Sequence, residues 1–302
     1  MLLEREKILK NILIQWCLIN PKIEKQYHEE SSRIILKISD GDNQMLLKGI
    51  PDTVLEEVII SNVSAHKFLK EKGNIAPDIL VTSTGFEYIH IEGYWFYLME
   101  FIEGNNLEEI AEDEFELGRL VRTLHSFTDY SRISSLNPNK ERFYDWFKDK
   151  EFKKEFDEIL DTLPDFNEYD CCFIHSDIGP HNAMRRNTGE VVFIDLDDAG
   201  IGSRYLDLGW AFIMQFVDFN HSTKEMHYRF DLAKAFLAGY YGNDSILENE
   251  YDLLWYGAIF MHISYMQCFG PYAVDSLWNI LKFGMEQKEK LWNYINSREV
   301  TN

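Results

Sequence analysis

Two short apolar runs interrupt the helical second half of this chain, and each of them ends in polar residues. The first run leads into His175 and Asp177, and Asn182 follows five residues after Asp177. The second run leads into Asp195. Side chains at the ends of buried strands are held rigidly and can converge on one point, as the groups of an active site must. The oxygen atoms of Asn182 and Asp195 suit Mg²⁺, which ordinarily takes one or two protein ligands beside phosphate oxygens.

The first hundred residues alternate short β-like runs with turn residues. Residues 33–38 and 44–48 are rich in aliphatic side chains and flank a Ser-Asp-Gly-Asp-Asn segment, a pattern that predicts a β-hairpin. Residues 55–72 place apolar side chains at close to the helical period and stop before Gly73. This pattern predicts a helix with a glycine stop.

Helical patterns dominate from Leu107 to the end, apart from the two interrupting runs. A β-rich front followed by a mostly helical rear is typical of an α+β protein. The length of 302 residues fits two domains or one domain of two lobes. We therefore predict a β-rich N-terminal lobe at 1–100 and a mostly helical C-terminal lobe at 101–302.

The formal net charge is −21, from 30 basic and 51 acidic residues. This charge argues against a nucleic-acid partner, because binding to a phosphate backbone depends on Lys and Arg. It permits cationic small molecules, and it equally serves to keep a protein soluble.

The four cysteines show neither a zinc spacing nor a disulfide framework. The N-terminus lacks the basic start and apolar core of a signal peptide, so we expect a cytoplasmic protein. No feature of the sequence specifies an oligomeric state.

One stretch has the length of a membrane span. Residues 253–274 contain no Asp, Glu, Lys or Arg. The stretch is nevertheless aromatic rather than aliphatic, and it includes His262, Ser264 and a Gly-Pro breaker at 270–271. A helix that is apolar on all sides is more often buried in a globular domain. We therefore expect a core helix here and no membrane partner.

The polar residues of the two interrupting runs resemble the catalytic segment of the aminoglycoside phosphotransferase and choline kinase superfamily. The family pattern is H-G-D-x-x-x-x-N, followed by a strand that ends in I-D-x-x-D/E. This chain has His175-Ser176-Asp177 with Asn182, and then Ile194-Asp195-Leu196-Asp197-Asp198. The resemblance extends over nearly the whole chain, through Leu124-His125, the hinge-like segment 99–104 and Asp207-Leu208-Gly209.

The resemblance implies a bilobal, protein-kinase-like fold and a kinase activity. The γ-phosphoryl group of ATP or GTP would pass to a hydroxyl group of a small molecule. Asp177 would accept or orient the hydroxyl proton, and His175 would brace the catalytic loop. Asn182 and Asp195 would hold Mg²⁺ against the phosphates. Asp207 would accept backbone N–H bonds from the loop.

The resemblance also assigns residues to the nucleotide. Lys48 would contact the α- and β-phosphates, and a glutamate on the following helix would pair with it. Asn62 stands at about the position expected for this glutamate, while Glu56 and Glu57 lie nearer the start of the helix, and Glu57 is the residue we choose. The assigned residues are Lys48, Glu57, Ser31, Ser32, Glu100, Phe101 and Ile102. The last three would meet the base. Ser31 and Ser32 would cover the phosphates, although the loop around them contains no glycine and holds two glutamates.

The acceptor would lie against the rear helices, in an aromatic and acidic stretch from Trp210 to Trp292. Six aromatic residues there could form walls for an amine by cation–π contact: Tyr251, Trp255, Tyr256, Tyr265, Tyr272 and Trp278. An aminoglycoside or an amino alcohol would suit the net charge. Homoserine-like metabolites and protein hydroxyls stay open.

Two other functions use the same residues. His175, Asp177, His181 and Asp195 could build the metal site of a hydrolase, in which the metal activates water. No familiar zinc-hydrolase spacing is present in the sequence. A catalytically silent, kinase-like binding module is the third reading, and the glycine-free phosphate loop would favour it.

Overall fold

The computed structural model describes residues 9, 11–27, 32–169, 171–220, 222–242, 244–266, 268 and 273–297. The chain divides into two compact units. The first unit consists of Met1–Asn105 and Met184–Asp197, and the second of Asn106–Ala183 and Asp198–Asn302. The segment 184–197, which follows the catalytic motif, is therefore part of the first unit, although the sequence-based boundary placed it with the rear.

An antiparallel sheet and one long helix build most of the first unit. The strands of the sheet are β1 (Lys22–Tyr27), β2 (Ile34–Asp40), β3 (Asn43–Pro51), β4 (Ile79–Leu80), β5 (Ile89–Ile91) and β6 (Tyr94–Glu100). Their order is β1-β2-β3-β6-β4, and β5 also pairs with β6. The predicted hairpin is β2 and β3, whose register pairs Asp40 with Asn43.

Helix α1 (Glu56–Gly73) packs on one face of this sheet. Ile59 and Val63 of the helix share a buried cluster with Ile50, Tyr97 and Met99 of the strands. The opposite face of the sheet has its own buried cluster. Both clusters follow from the alternation of side chains along the strands. The helix runs one residue further than predicted, because Asn74, and not Gly73, takes the left-handed capping conformation, with φ 53°.

A second, three-stranded sheet joins the segment 184–197 to the first unit. Its strands are β7 (Gly104–Asn106), β9 (Ala183–Arg186) and β10 (Val191–Phe193), in the order β10-β9-β7. The backbone N–H of Phe193 donates to the carbonyl of Ile75 at 2.8 Å. These bonds place Asp195, just after β10, in the same unit as Lys48 on β3.

The second unit is mainly helical. Its helices are α2 (Ala111–His125), α3 (Lys153–Thr162), α4 (Arg204–Met214), α5 (Phe230–Tyr241), α6 (Glu248–Met266), α7 (Val274–Met285) and α8 (Lys288–Asn296). Two short strand pairs accompany them: β8 (Cys171–Ile174) with β11 (Gly200–Ser203), and β12 (Val217–Phe219) with β13 (Met226–Tyr228). The loop that carries His175 and Asp177 begins where β8 ends.

Helix α4 lies close against α6 because both carry a glycine at the crossing. A Cβ atom on Gly209 would lie 2.4 Å from the backbone of Gly257. The charge-free stretch forms most of α6, and its Leu254, Trp255 and Phe260 are buried. It is a core helix, as expected. Within the described part of the chain, no helix has both the length and the apolar character that a bilayer crossing needs.

Candidate active site

Asp207 organises the loop that follows β8 in the second unit. This fully buried carboxylate accepts the backbone N–H of His175 at 2.9 Å and that of Ser176 at 2.7 Å. It also accepts the Nε2–H of His125 at 3.0 Å, and the Nδ1 atom of His125 accepts the hydroxyl of Tyr240 at 3.0 Å. The predicted role of Asp207 as an acceptor of loop N–H groups is confirmed. The loop is therefore held by charge-assisted bonds in a dry environment.

Ser176 stands where the family pattern has glycine, and its backbone shows why glycine suits this position. Its φ angle is 73°, in the left-handed region that glycine adopts most readily. The serine side chain compensates, because its hydroxyl lies 2.8 Å from that of Ser134 and donates to the carbonyl of Asp198 at 3.1 Å. The departure from glycine thus adds contacts that fix the loop.

Asp177 follows in the same loop and is about half exposed. The amide group of Asn182 donates to the backbone carbonyl and to the carboxylate of Asp177, at 2.8 Å in each case. Nε2 of His181 lies 3.7 Å from the same carboxylate. Burial raises the pKa of Asp177, but the two histidines nearby and the bond from Asn182 outweigh it, and the pKa lies below its ordinary value. The carboxylate is fixed in direction and charged near neutral pH.

Asn182 is buried on a single turn of 3₁₀ helix, Pro180–Asn182. Because its amide nitrogen is engaged by Asp177, its Oδ1 atom is the group that a metal could take. His175, also predicted for this site, is buried, and its backbone N–H is the group that Asp207 binds.

Lys48 is buried and is the centre of a charge cluster in the first unit. Its Nζ atom lies 2.7 Å from Asp195 and 3.3 Å from Asp197. Burial alone would lower the pKa of Lys48, but Tyr97, Asp197 and Asp195 raise it above its ordinary value. Asp197 also binds Arg33 at 2.7 Å. Lys48 is thus a permanent cation, and its Nζ atom lies beside the carboxylates of Asp195 and Asp197 in the segment after β10.

Glu57, predicted as the partner of Lys48, lies elsewhere. It is exposed in the first turn of α1. The residue of α1 that reaches this cluster is the buried Asn62, whose amide donates to Asp197 at 3.0 Å. The carboxylates that neutralise Lys48 come from the segment after β10, so the lysine does not depend on a glutamate of the helix.

The predicted base-binding segment ends strand β6. Glu100 forms a bidentate ion pair with Arg186, and its second oxygen lies 3.2 Å from that guanidinium. Burial raises the pKa of Glu100, but Arg186, Lys70 and the N–H of Asp78 lower it to about 2. Phe101 donates its N–H to Gln44, and the neighbouring Ile102 is buried. The segment is rigid. Ser32 is exposed, and Ser31 lies outside the described residues.

A cavity of about 750 Å³ in the second unit includes Asp177 in its wall. Trp210 and Tyr265 also line it, with their rings 5.5 Å apart. Of the other five aromatic residues predicted as acceptor walls, Tyr251, Trp255 and Trp278 are buried core residues. Tyr256 does not line the cavity and is half-buried, and Tyr272 lies outside the described residues.

Sequence reasoning missed several residues of these two sites. Arg186, which binds Glu100, and Ser134, which binds Ser176, have no motif around them. Arg142 also lines the cavity, and the sequence around it contains no motif that indicates this position. Among the described residues, no group of three or more His, Cys, Asp or Glu side chains is arranged to hold a metal ion.

Residues 76–243, more than half of the chain, match the phosphotransferase enzyme family, APH. The chain belongs to this family. It is therefore an enzyme, a phosphotransferase with an alcohol group as acceptor. The resemblance drawn from His175, Asp177, Asn182 and Asp195 is confirmed at the level of the family. The comparison of the sequence with curated proteins found no match.

Solved structures of similar fold belong to kinases of several small molecules. A microcompartment-associated aminopropanol kinase has 14% identity and a TM-score of 0.63, with 96% of this chain and 97% of that chain covered. A choline kinase from Cryptosporidium parvum has 14% identity and a TM-score of 0.65, with the same coverage. A spectinomycin phosphotransferase in complex with ADP and spectinomycin has 14% identity and a TM-score of 0.56, with 97% and 94% covered. The predicted α+β, protein-kinase-like fold is confirmed.

Proposed function

We propose that this phosphotransferase moves the γ-phosphoryl group of ATP or GTP to a hydroxyl group of a small molecule, with Asp177 as general base. The observation that supports the proposal is the place of Asp177 in the wall of the 750 Å³ cavity. Its carboxylate is half exposed and is held in one direction by Asn182. A cavity of this volume suits a small molecule, and a hydroxyl within it can reach the base.

The chemical step balances as follows. The acceptor oxygen forms a bond to the γ-phosphorus while the bond from that phosphorus to the bridging β–γ oxygen breaks. The nucleoside diphosphate leaves with the electron pair, and the hydroxyl proton passes to the carboxylate of Asp177. Such a transfer depends mainly on positioning and charge stabilisation. The bond that Asn182 donates to Asp177 and the bond that the N–H of Ser176 donates to Asp207 supply the positioning here.

Lys48 would bind the phosphates of the nucleotide donor, and Glu100, Phe101 and Ile102 would meet the base. Asn182 and Asp195 have oxygen atoms of the kind that Mg²⁺ prefers, and the side chain of Asp195 is 46% exposed. A bound Mg²⁺ would neutralise charge on the phosphates. Lys48 already neutralises Asp195 and holds its carboxylate in place.

The acceptor predicted from the net charge carries an amine. The similar structures named above include kinases of aminopropanol and choline, both of which bear a cationic nitrogen. The carboxylates of Asp198 and Asp218 line the cavity and could bind such a group. The cytoplasmic location and the absence of a nucleic-acid partner stay predictions from the sequence.

Thermal unfolding with ATP, GTP or no nucleotide, each with and without Mg²⁺, tests the donor half of the proposal. A nucleotide at 100 times its Kd should add about 2.7 kcal/mol to the free energy of unfolding. We expect a Mg²⁺-dependent rise in Tm with one purine nucleotide. Release of the diphosphate on addition of a hydroxyl compound tests the acceptor half. No stabilisation by either nucleotide would contradict the proposed phosphoryl donor.

A further inference from the structure

Two arginines line the cavity that contains Asp177, and only one of them has an acidic partner. Arg229 binds Glu109 at 2.6 Å. Arg142 forms no ion pair with any residue that the structure describes, and its one hydrogen-bond partner there is the hydroxyl of Ser264, at 3.2 Å. The cavity therefore contains a guanidinium group whose charge no carboxylate among the described residues compensates.

The fold holds this guanidinium in place. Arg142 lies on the 3₁₀ turn Lys140–Phe143, and Lys140 anchors the turn by donating to the carbonyls of Leu160 and Leu163 at the end of α3. The guanidinium lies 4.7 Å from the ring centre of Phe143. That ring in turn packs at 5.1 Å from Phe260 on α6. The side chain is thus packed against the core and is not a free surface arginine.

The environment of Arg142 favours an anion. Its Nε atom is buried without a hydrogen-bond partner. Ser264 donates its own hydroxyl to the carbonyl of Phe260 at 3.0 Å, so it can only accept from Arg142. A partly desolvated cation without a counter-ion is unfavourable until an anion reaches it. The planar guanidinium fork matches a carboxylate with two parallel bonds.

We propose that the acceptor carries a carboxylate as well as its hydroxyl group, and that Arg142 binds this carboxylate. The proposal rests on the proposed function and names its substrate class. Ser264 and Tyr265 are neighbours on α6, and both line the same cavity as Arg142 and Asp177, so the arginine and the base face one binding space. Asp198 and Asp218 line the same cavity and could bind an amine. The proposed acceptors are therefore small hydroxy amino acids.

A panel of four compounds separates the charged groups of the acceptor. It consists of homoserine, the same compound without its amine, without its carboxylate, and without both. A second panel built on serine covers the shorter chain. Diphosphate release with the donor found by thermal unfolding gives kcat and KM for each compound. We expect the compounds that keep the carboxylate to have the higher kcat/KM.

Three variants connect this preference to one side chain. Arg142→Gln should raise KM for the carboxylates roughly tenfold or more, because a charge-assisted bond is lost, and should leave the compounds without a carboxylate unchanged. Arg142→Lys keeps the positive charge but loses the planar fork. Its KM for the carboxylates should therefore lie between those of the unaltered protein and Arg142→Gln. Arg119→Gln is the matched control, because Arg119 lies on α2, does not line the cavity and binds Glu116.

Each result decides the inference. It is overturned if the compounds that lack the carboxylate are phosphorylated as well or better, or if Arg142→Gln affects all compounds equally, as a purely structural role would. Stabilisation by Mg²⁺ and nucleotide without turnover of any panel member would reject this acceptor class but keep the kinase. A failure of the proposed function itself would show earlier, as no response to nucleotide before any acceptor is added.

Discussion

Asn182 donates its amide group to both the backbone carbonyl and the carboxylate of Asp177, at 2.8 Å each. These two bonds join the residue proposed as general base to a residue proposed as metal ligand within five positions of the chain. The double contact fixes the side-chain direction of Asp177 and commits the amide nitrogen of Asn182. The proposed general base and the proposed metal ligand thus lie in one short loop and are hydrogen-bonded to each other.

Asp177→Asn should lower kcat by on the order of 10²–10⁴ with little change in nucleotide affinity, because the proton acceptor is lost while the shape remains. Steady-state diphosphate release and nucleotide-dependent Tm measure the two quantities. Asp145→Asn is the control, since Asp145 is exposed and pairs only with Lys148 on the surface. Turnover near that of the unaltered protein would contradict the role of Asp177.

Asp195→Asn should weaken the binding of nucleotide with Mg²⁺ and leave binding without Mg²⁺ nearly unchanged. The substitution removes the charge that the metal would meet, while Asp197 remains beside Lys48 at 3.3 Å. Calorimetric titration with and without Mg²⁺ measures the difference. An exposed aspartate in the turn between β2 and β3 of the same unit, Asp42→Asn, serves as the comparison. Equal Mg²⁺ dependence in both variants would remove the proposed metal role of Asp195.

Ser176→Gly should destabilise the protein less than Ser176→Ala. Both variants lose the contacts of the hydroxyl with Ser134 and Asp198, but alanine keeps the unfavourable φ of 73° that glycine accepts freely. The difference in free energy of unfolding should be about 1 kcal/mol. Denaturant unfolding of the two variants measures it directly. If the alanine variant were the more stable one, the backbone argument for this position would be wrong.

The stability of the protein should fall as pH rises from about 4.5 to about 8, in part because of Glu114. Burial raises the pKa of Glu114 to about 8, against the opposing effects of Gln215 and Arg229. In this window the folded state keeps a proton that the unfolded chain has lost, so deprotonation favours unfolding. Below the window both states are protonated, and the residue contributes no pH dependence.

Glu114→Gln should remove this part of the slope and make the protein more stable than the unaltered one above pH 8. Urea unfolding at pH 6 and about pH 8.5 measures the change. Glu116→Gln on the same helix is the matched control, because Glu116 lies at the surface beside Arg119. A slope that is unchanged by Glu114→Gln but altered by Glu116→Gln would show that the buried carboxyl does not carry the effect.

The sequence by itself determined the fold class and the family, and it predicted the site residues of the loop after β8. Local patterns carry this information: alternation in β2 and β3, the helical period in α1, and the fixed spacing of His175, Asp177 and Asn182. Each of these depends on residues that are near each other in the chain. That N–H groups of the loop donate to Asp207 was predicted from the resemblance to the family.

Only the tertiary structure decided the partners of these residues. Asn62 and not Glu57 reaches the Lys48 cluster, because the start of α1 is exposed while its middle packs on the sheet. Tyr265 lines the cavity whereas Trp255, ten residues earlier on α6, is buried in the core. Arg142 has no motif, and its lack of a carboxylate partner among the described residues is visible only in the packing of separate segments. Contacts between distant segments depend on how helices and strands pack, which local periodicity does not specify.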